Sequence, residues 1–141
     1  MKKINPSGLI TALTGLLIAG TPVVLPVCQG LLELANGKTV QMRCFWTARA
    51  ETLLGGLILL TGLVIAFVTS AEARRRLNHT VILLGLATIL TPLYIIPTCA
   101  NPDMACNVGA RPAWLILGGL TLLTGLWGSR AQRLELAPSA G

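Results

Sequence analysis

Charge is what this chain has least of. Only 11% of its 141 residues are charged, where a soluble domain carries about 25%. So few charges cannot clothe a folded surface in water, and a soluble globular domain is excluded. Aromatic residues are scarce at 4%, and histidine occurs once. There is no C-x-x-C pair, no nucleophile–base pair and no phosphate-binding glycine loop, so the sequence offers no established catalytic pattern. The reading is a non-enzymatic protein with no resident cofactor.

What is present is apolar length. Four uncharged stretches run roughly over Gly8–Val27, Thr52–Ser70, Thr80–Thr98 and Pro112–Ser129. Each approaches the ~20 residues that cross a ~30 Å hydrocarbon core. Lipid offers the backbone no hydrogen-bond partners, so such stretches fold as helices. The expected fold is an all-α membrane protein, a four-helix transmembrane bundle forming a single domain over residues 1–141. The first stretch follows Lys2 and Lys3 as a signal peptide would. It is longer than a signal core, lacks a clear A-x-A site and has a counterpart later in the chain, so it reads as a retained span.

The net charge of +6 is decided by placement. Lys2, Lys3, Arg74, Arg75, Arg76, Arg130 and Arg133 flank the termini and the middle connection. Lys38, Arg43, Arg49 and Arg111 accompany the other two loops. Seven basic residues against four place both termini and the Arg74–Arg76 connection in the cytoplasm by the positive-inside rule. The arginine run reads as a topology anchor touching anionic headgroups, not as a nucleic-acid patch. The expected location is the cytoplasmic membrane, multi-pass, with the cysteine-bearing loops outside. His79 reads as an interfacial residue.

The chain also repeats itself. Leu54–Leu63 reads LGGLILLTGL and Leu117–Leu126 reads LGGLTLLTGL, nine of ten positions agreeing at an offset of 63. Upstream, Met42-Arg43-Cys44 matches Met104-Ala105-Cys106, and Arg49 matches Arg111, at an offset of 62. Pro26-Val27-Cys28 matches Pro97-Thr98-Cys99, and Thr21-Pro22 matches Thr91-Pro92. The unit is helix, outer loop, helix, occurring over 1–70 and 71–141. An even number of spans per unit makes the repeats parallel, related by an axis along the membrane normal. Pro22, Pro26, Pro92 and Pro97 should kink or end the first and third spans. Gly55 and Gly62, like Gly118 and Gly125, lie on one helix face and permit close approach. The stripe Ala48, Gly55, Gly62 and Thr69 is expected to be a seam between spans. The alternative is a seam with a membrane-protein partner or a second copy.

All four cysteines, Cys28, Cys44, Cys99 and Cys106, fall in the two outer loops, where disulfides form and persist. Four cysteines allow three pairings. The repeat favours Cys28–Cys44 and Cys99–Cys106, with Asn101-Pro102-Asp103 turning the second loop. A competing reading is metal handling, because Met42, Cys44, Met104 and Cys106 place thioether beside thiolate and such soft ligands suit Cu(I). A third is thiol–disulfide exchange, which the missing C-x-x-C disfavours. Trp46 and Trp114 are expected in an interfacial aromatic belt. Arg49 and Glu51 are expected at the mouth of the second span, each with a partner such as Arg111 or a loop carbonyl. With Trp46 and Arg111 they are the candidate contact residues.

The pattern Pro26-x-Cys28, Met42-x-Cys44-x-Trp46-Thr47-x-x-Ala50-Glu51, Pro97-x-Cys99 and Met104-x-Cys106 resembles the bacterial four-span membrane proteins grouped as domain of unknown function 4418. The resemblance covers nearly the whole chain, and its specific part is Cys44–Glu51. It implies a polar residue, often histidine, at position 45, where this chain has Phe45. It also implies company with ABC-type transport components bearing FtsX-like permeases. The functional expectation is a small accessory or scaffold subunit of a membrane transport system.

Overall fold

A computed structural model describes residues 4–25 and 27–137. Lys2, Lys3 and Pro26 lie outside the described residues. Four helices dominate: α1 Pro6–Val24, α2 Arg43–Phe67, α3 Ala71–Leu90 and α4 Arg111–Leu136. Two single π-helical turns flank the second cysteine-bearing loop, Thr91–Ile95 continuing α3 and Cys106–Ala110 leading into α4. All four helical segments are long and apolar enough to span a membrane. At 1.5 Å per residue, the 25 residues of α2 extend about 37 Å.

The helices overrun the apolar stretches for a simple reason. Arg43, Arg49, Glu51, Glu72 and Arg74–Arg76 end the hydrophobic signal but not the helix. The backbone keeps its own hydrogen bonds until a stop residue or a cap intervenes. At the start of α3 the Ser70 hydroxyl accepts from the Ala73 N–H, and Glu72 sits in the first turn, where a carboxylate favours the positive end of the helix. The prolines act as expected in part. α1 runs through Pro22 and ends two residues later, and Pro92 sits inside the π turn that ends the third span.

Packing is tightest within each hairpin, α1 on α2 and α3 on α4, and lighter between hairpins. In the first hairpin, glycine meets backbone. A methyl at Gly55 would lie 2.5 Å from the Ala19 nitrogen, and one at Gly62 would fall on the backbone of Ala12. Gly8 and Gly15 reciprocate from α1 against Ala66 and Leu59. The glycine stripe is therefore a seam within the chain. It ends at Gly62, since Thr69 is exposed and beyond the helix. In the second hairpin Gly118 and Gly125 receive Ile89 and Ile82 side chains from α3.

The sequence reading missed one element. Loop one carries a two-stranded hairpin, β1 Leu31–Glu33 paired antiparallel with β2 Thr39–Gln41. Its turn contains Asn36-Gly37, with Gly37 at φ +72°, a conformation glycine adopts without penalty.

The repeat offset changes along the second helix of each unit. It is 62 at Cys44/Cys106 and 63 at Gly55/Gly118, so repeat two holds one extra residue between them. The Arg49/Arg111 match keeps the offset of 62, so the extra residue enters below Arg111, after the π turn Cys106–Ala110. Below it, Glu51 of α2 corresponds to Trp114 of α4.

Candidate metal centre

The chain's chemistry gathers at the end of the bundle opposite the termini. Cys28 follows α1, Cys44 opens α2, Cys99 follows the π turn of the third span, and Cys106 begins the π turn before α4. The four sulfurs all lie within 4.8 Å of one another. Cys44 Sγ is 2.9 Å and Cys28 Sγ 3.7 Å from Cys106 Sγ. Cys44 and Cys106 are buried, at 1% and 0% exposure, while Cys28 and Cys99 are half-buried.

The sequence reading paired Cys28 with Cys44 and Cys99 with Cys106, one closure in each loop. The thiols are free, and they form one cluster to which each repeat contributes two. The closest contact, Cys44 with Cys106, joins repeat-equivalent residues across the two halves. The hairpins fold back on each other, so positions far apart in sequence but alike in each repeat meet near the axis relating them.

Polar side chains fix the loops that carry the thiols. Asn107 Nδ2 donates to the carbonyls of Cys99 at 2.6 Å and Asn101 at 2.7 Å. The Thr98 hydroxyl donates to Asn107 Oδ1 at 2.5 Å. Asn107 thus clamps the backbone on both sides of the second loop. Thr47, one turn into α2, donates to the Ile96 carbonyl at 2.8 Å and ties the first hairpin to the second beside the cluster. The sequence reading passed over Asn107 and gave Thr98 and Thr47, both inside its motifs, no role. Only the adjacency of Asn107 to Cys106, and of Thr98 to Cys99, signals their role.

Four convergent thiols can do definite chemistry. A tetrahedral thiolate site with metal–sulfur bonds of about 2.3 Å has sulfur–sulfur edges of about 3.8 Å, and the separations of 2.9 to 4.8 Å bracket that edge. A tetrahedral four-sulfur set suits zinc or iron, and thiolates also select Cu(I). Met42 and Met104, proposed from sequence as partners of Cys44 and Cys106, are both half-buried. They line a neighbouring cleft with Cys99.

The remaining candidates are placed as follows. Trp46 is 57% exposed, at the cysteine-bearing end of α2, and meets the Phe45 ring edge-on at a centroid distance of 5.7 Å. Arg49 is exposed, its guanidinium 5.2 Å from the Phe45 ring centroid. Phe45 thus holds the arginine by a cation–π contact. Arg111 lines a cavity of about 390 Å³ with Cys99 and Asn107. Two expectations fail. Trp114 is fully buried among Ile18, Ala48, Ile58 and Ala110, not in an interfacial belt. Glu51 is fully buried inside the bundle, not at its mouth, and neither carboxylate oxygen has a hydrogen-bond partner among the described residues. Both follow from helical spacing. Cys44, Ala48, Glu51 and Gly55 share one face of α2, and Cys106, Ala110, Trp114 and Gly118 run down one face of α4. A face that buries its cysteine also buries residues two turns below. The Trp114 indole N–H is likewise unpartnered.

At the opposite end Arg74 pairs with Glu135 at 3.5 Å and Arg76 with Glu72 at 2.9 Å. Arg75 offers its carbonyl to His79 Nδ1 at 2.8 Å, and the His79 side chain is exposed. Arg74, Arg75 and Arg76 thus occupy the end away from the cysteines, within the first turns of α3.

Fold and site define a class: a multi-pass membrane protein of four helices with a four-thiol cluster at one end. The family model described as Domain of unknown function (DUF4418) matches residues 11–129. The chain belongs to that family. No curated protein and no solved structure matches it significantly.

Proposed function

We propose that this chain is a small, non-catalytic accessory or scaffold subunit of a membrane transport system in the cytoplasmic membrane, and that its outer end holds a soft metal ion in a four-thiolate site. The single observation carrying the metal reading is the convergence of two thiols from each repeat within 4.8 Å. Two structural staples would need only one pair in each loop. A duplicated hairpin that brings all four sulfurs to one point builds a coordination site.

The orientation rests on the basic residues. Arg74–Arg76, Arg130 and Arg133 share the end with the termini, which the positive-inside rule assigns to the cytoplasm. The metal site then faces outside. The accessory role rests on glycines left open: among the described residues no atom comes within 4 Å of a methyl placed at Gly56 or Gly119. These repeat-equivalent positions give a partner helix room to approach. Gly55, Gly62, Gly118 and Gly125 are already filled from within the chain.

Thiol alkylation and mass spectrometry on native membranes, with and without a metal chelator, test the metal reading. Four thiols shielded until the chelator is added support it. Two chelator-insensitive disulfides, or four thiols that react equally in both conditions, overturn it. For the subunit role, purification in mild detergent should bring down a stable membrane partner, and a chain that purifies alone defeats it.

A further inference from the structure

Beside the thiol cluster lies an open cleft of about 800 Å³, bounded by the β-hairpin of loop one and by the second outer loop. Leu32, Val40 and Met42 line it from the first repeat, and Thr98, Cys99 and Met104 from the second. Cys99 belongs both to the cleft wall and to the four-thiol cluster. It is half-buried, as are both methionines.

The chemistry of this wall is selective. The two thioethers come from the equivalent Met-x-Cys positions of the two repeats, so the duplication delivers them to the same cleft as it delivers the cysteines to the same cluster. No aspartate, glutamate or histidine lines the cleft, and its one charged lining residue is the cation Arg43. A hard or borderline dication finds no carboxylate or imidazole ligand there, only the neutral oxygens of Gln41, Thr98 and Asn101. Thioether and thiolate sulfur are ligands for soft ions such as Cu(I). Four thiolates alone accept zinc, iron and Cu(I) at equilibrium, so the cleft, not the cluster, sets which of them loads fastest.

We propose that this cleft is the loading path of the four-thiol centre and that it admits a soft monovalent ion of the Cu(I) or Ag(I) class, handed from Met42 and Met104 to Cys99 and so into the cluster. The inference rests on the metal reading above and names the ion that the reading leaves open. The transfer is ligand exchange: each thioether–metal bond that breaks is replaced by a thiolate–metal bond, and a thiol that becomes a ligand releases its proton to water. No electron moves.

The test is time-resolved uptake by the reduced, detergent-purified full chain, with Cu(I) delivered from a weak chelator and, separately, Zn(II) from a weak chelator. Leucine conserves the volume of methionine, so the paired variant Met42→Leu/Met104→Leu keeps the cleft filled. Its Cu(I) uptake should slow by about tenfold or more while its final Cu(I) stoichiometry and its zinc uptake match the wild type. Unchanged zinc uptake also reports an intact fold. Wild-type Cu(I) rates in the paired variant would overturn the loading path and leave the metal centre standing. A wild-type chain that takes up neither ion would overturn the metal centre itself.

Discussion

The two hairpins of this bundle share a plan and differ in almost every detail of how they are held together. In the first, glycines on both helices let backbone meet backbone. In the second, the glycines of α4 accept isoleucine side chains from α3. The first cysteine-bearing loop puts 15 residues between its cysteines and carries a β-hairpin, while the second puts six there and is clamped by Asn107. The first continues as a regular α-helix below its cysteine, and the second passes through a π turn before its helix begins. What the two retain in common is Pro-x-Cys, Met-x-Cys and the glycine pair. Seam chemistry and loop length can vary between two hairpins that lipid surrounds, because each need only pack. The sulfur positions cannot, because both halves must meet at one point.

The largest expected effect comes from breaking that shared point. Structural zinc sites are worth about 10–16 kcal/mol, so one ligand of four carries roughly 3–4 kcal/mol. Cys106→Ser or Cys44→Ser should weaken metal binding by about two to three orders of magnitude. By isothermal competition titration the two variants should be equal, because the residues are repeat-equivalent and both buried. A loss confined to one of them would break the symmetry of the account.

The seams should respond unequally. Gly55→Ala drives a methyl against the Ala19 backbone, which cannot yield. Gly118→Ala meets its nearest neighbour in a side chain able to turn aside, Ile89 Cγ1 at 2.9 Å, with Thr88 Cγ2 and the Gly85 carbonyl oxygen both at 3.2 Å. Overpacking costs about 1–3 kcal/mol. Gly55→Ala belongs at the top of that range and Gly118→Ala at the bottom, as read from unfolding in mixed micelles. Equal costs would show that the two seams are mechanically alike.

Glu51 and Trp114 sharpen the comparison from inside. They occupy equivalent depths, and each buries polar atoms without a partner. Leaving such a group unsatisfied costs about 1–3 kcal/mol, more when charged. Glu51→Leu should therefore stabilise the bundle by about 1–2 kcal/mol in the same assay. A destabilised variant would mean that Glu51 has a partner in the membrane.

The smallest effect is expected from the most visible difference. Deleting residues 32–40 removes the β-hairpin and gives loop one the cysteine spacing of loop two. Loop length enters closure entropy only logarithmically, so equilibrium zinc affinity should stay within about threefold of the wild type. A collapse of affinity in competition titration would make the hairpin part of the site.

Much of the scaffold was legible in the amino-acid order. The four spans follow from hydrophobic length, and the duplication follows from LGGLILLTGL against LGGLTLLTGL. The loop hairpin was signalled by Asn36-Gly37 and overlooked, because three-residue strands leave little alternation to read. The site was legible in its members but not in its geometry. Spacing along a loop favours joining Cys28 to Cys44. Only the packing of one hairpin on the other brings Cys44 to Cys106, and no local rule reports that contact. Glu51 was misplaced for a related reason. Its charge marks a membrane boundary in a hydropathy profile, but its helical phase, seven residues from Cys44, turns it into the bundle.

The central claim is that the two repeats build one four-thiol site between them. X-ray absorption spectroscopy of the zinc-loaded, reduced chain tests it most directly. The account predicts a single zinc per chain with four sulfur neighbours at about 2.3 Å, reduced to three in Cys106→Ser. Zinc surrounded by nitrogen and oxygen, or bound by two sulfurs from a single loop, would contradict it.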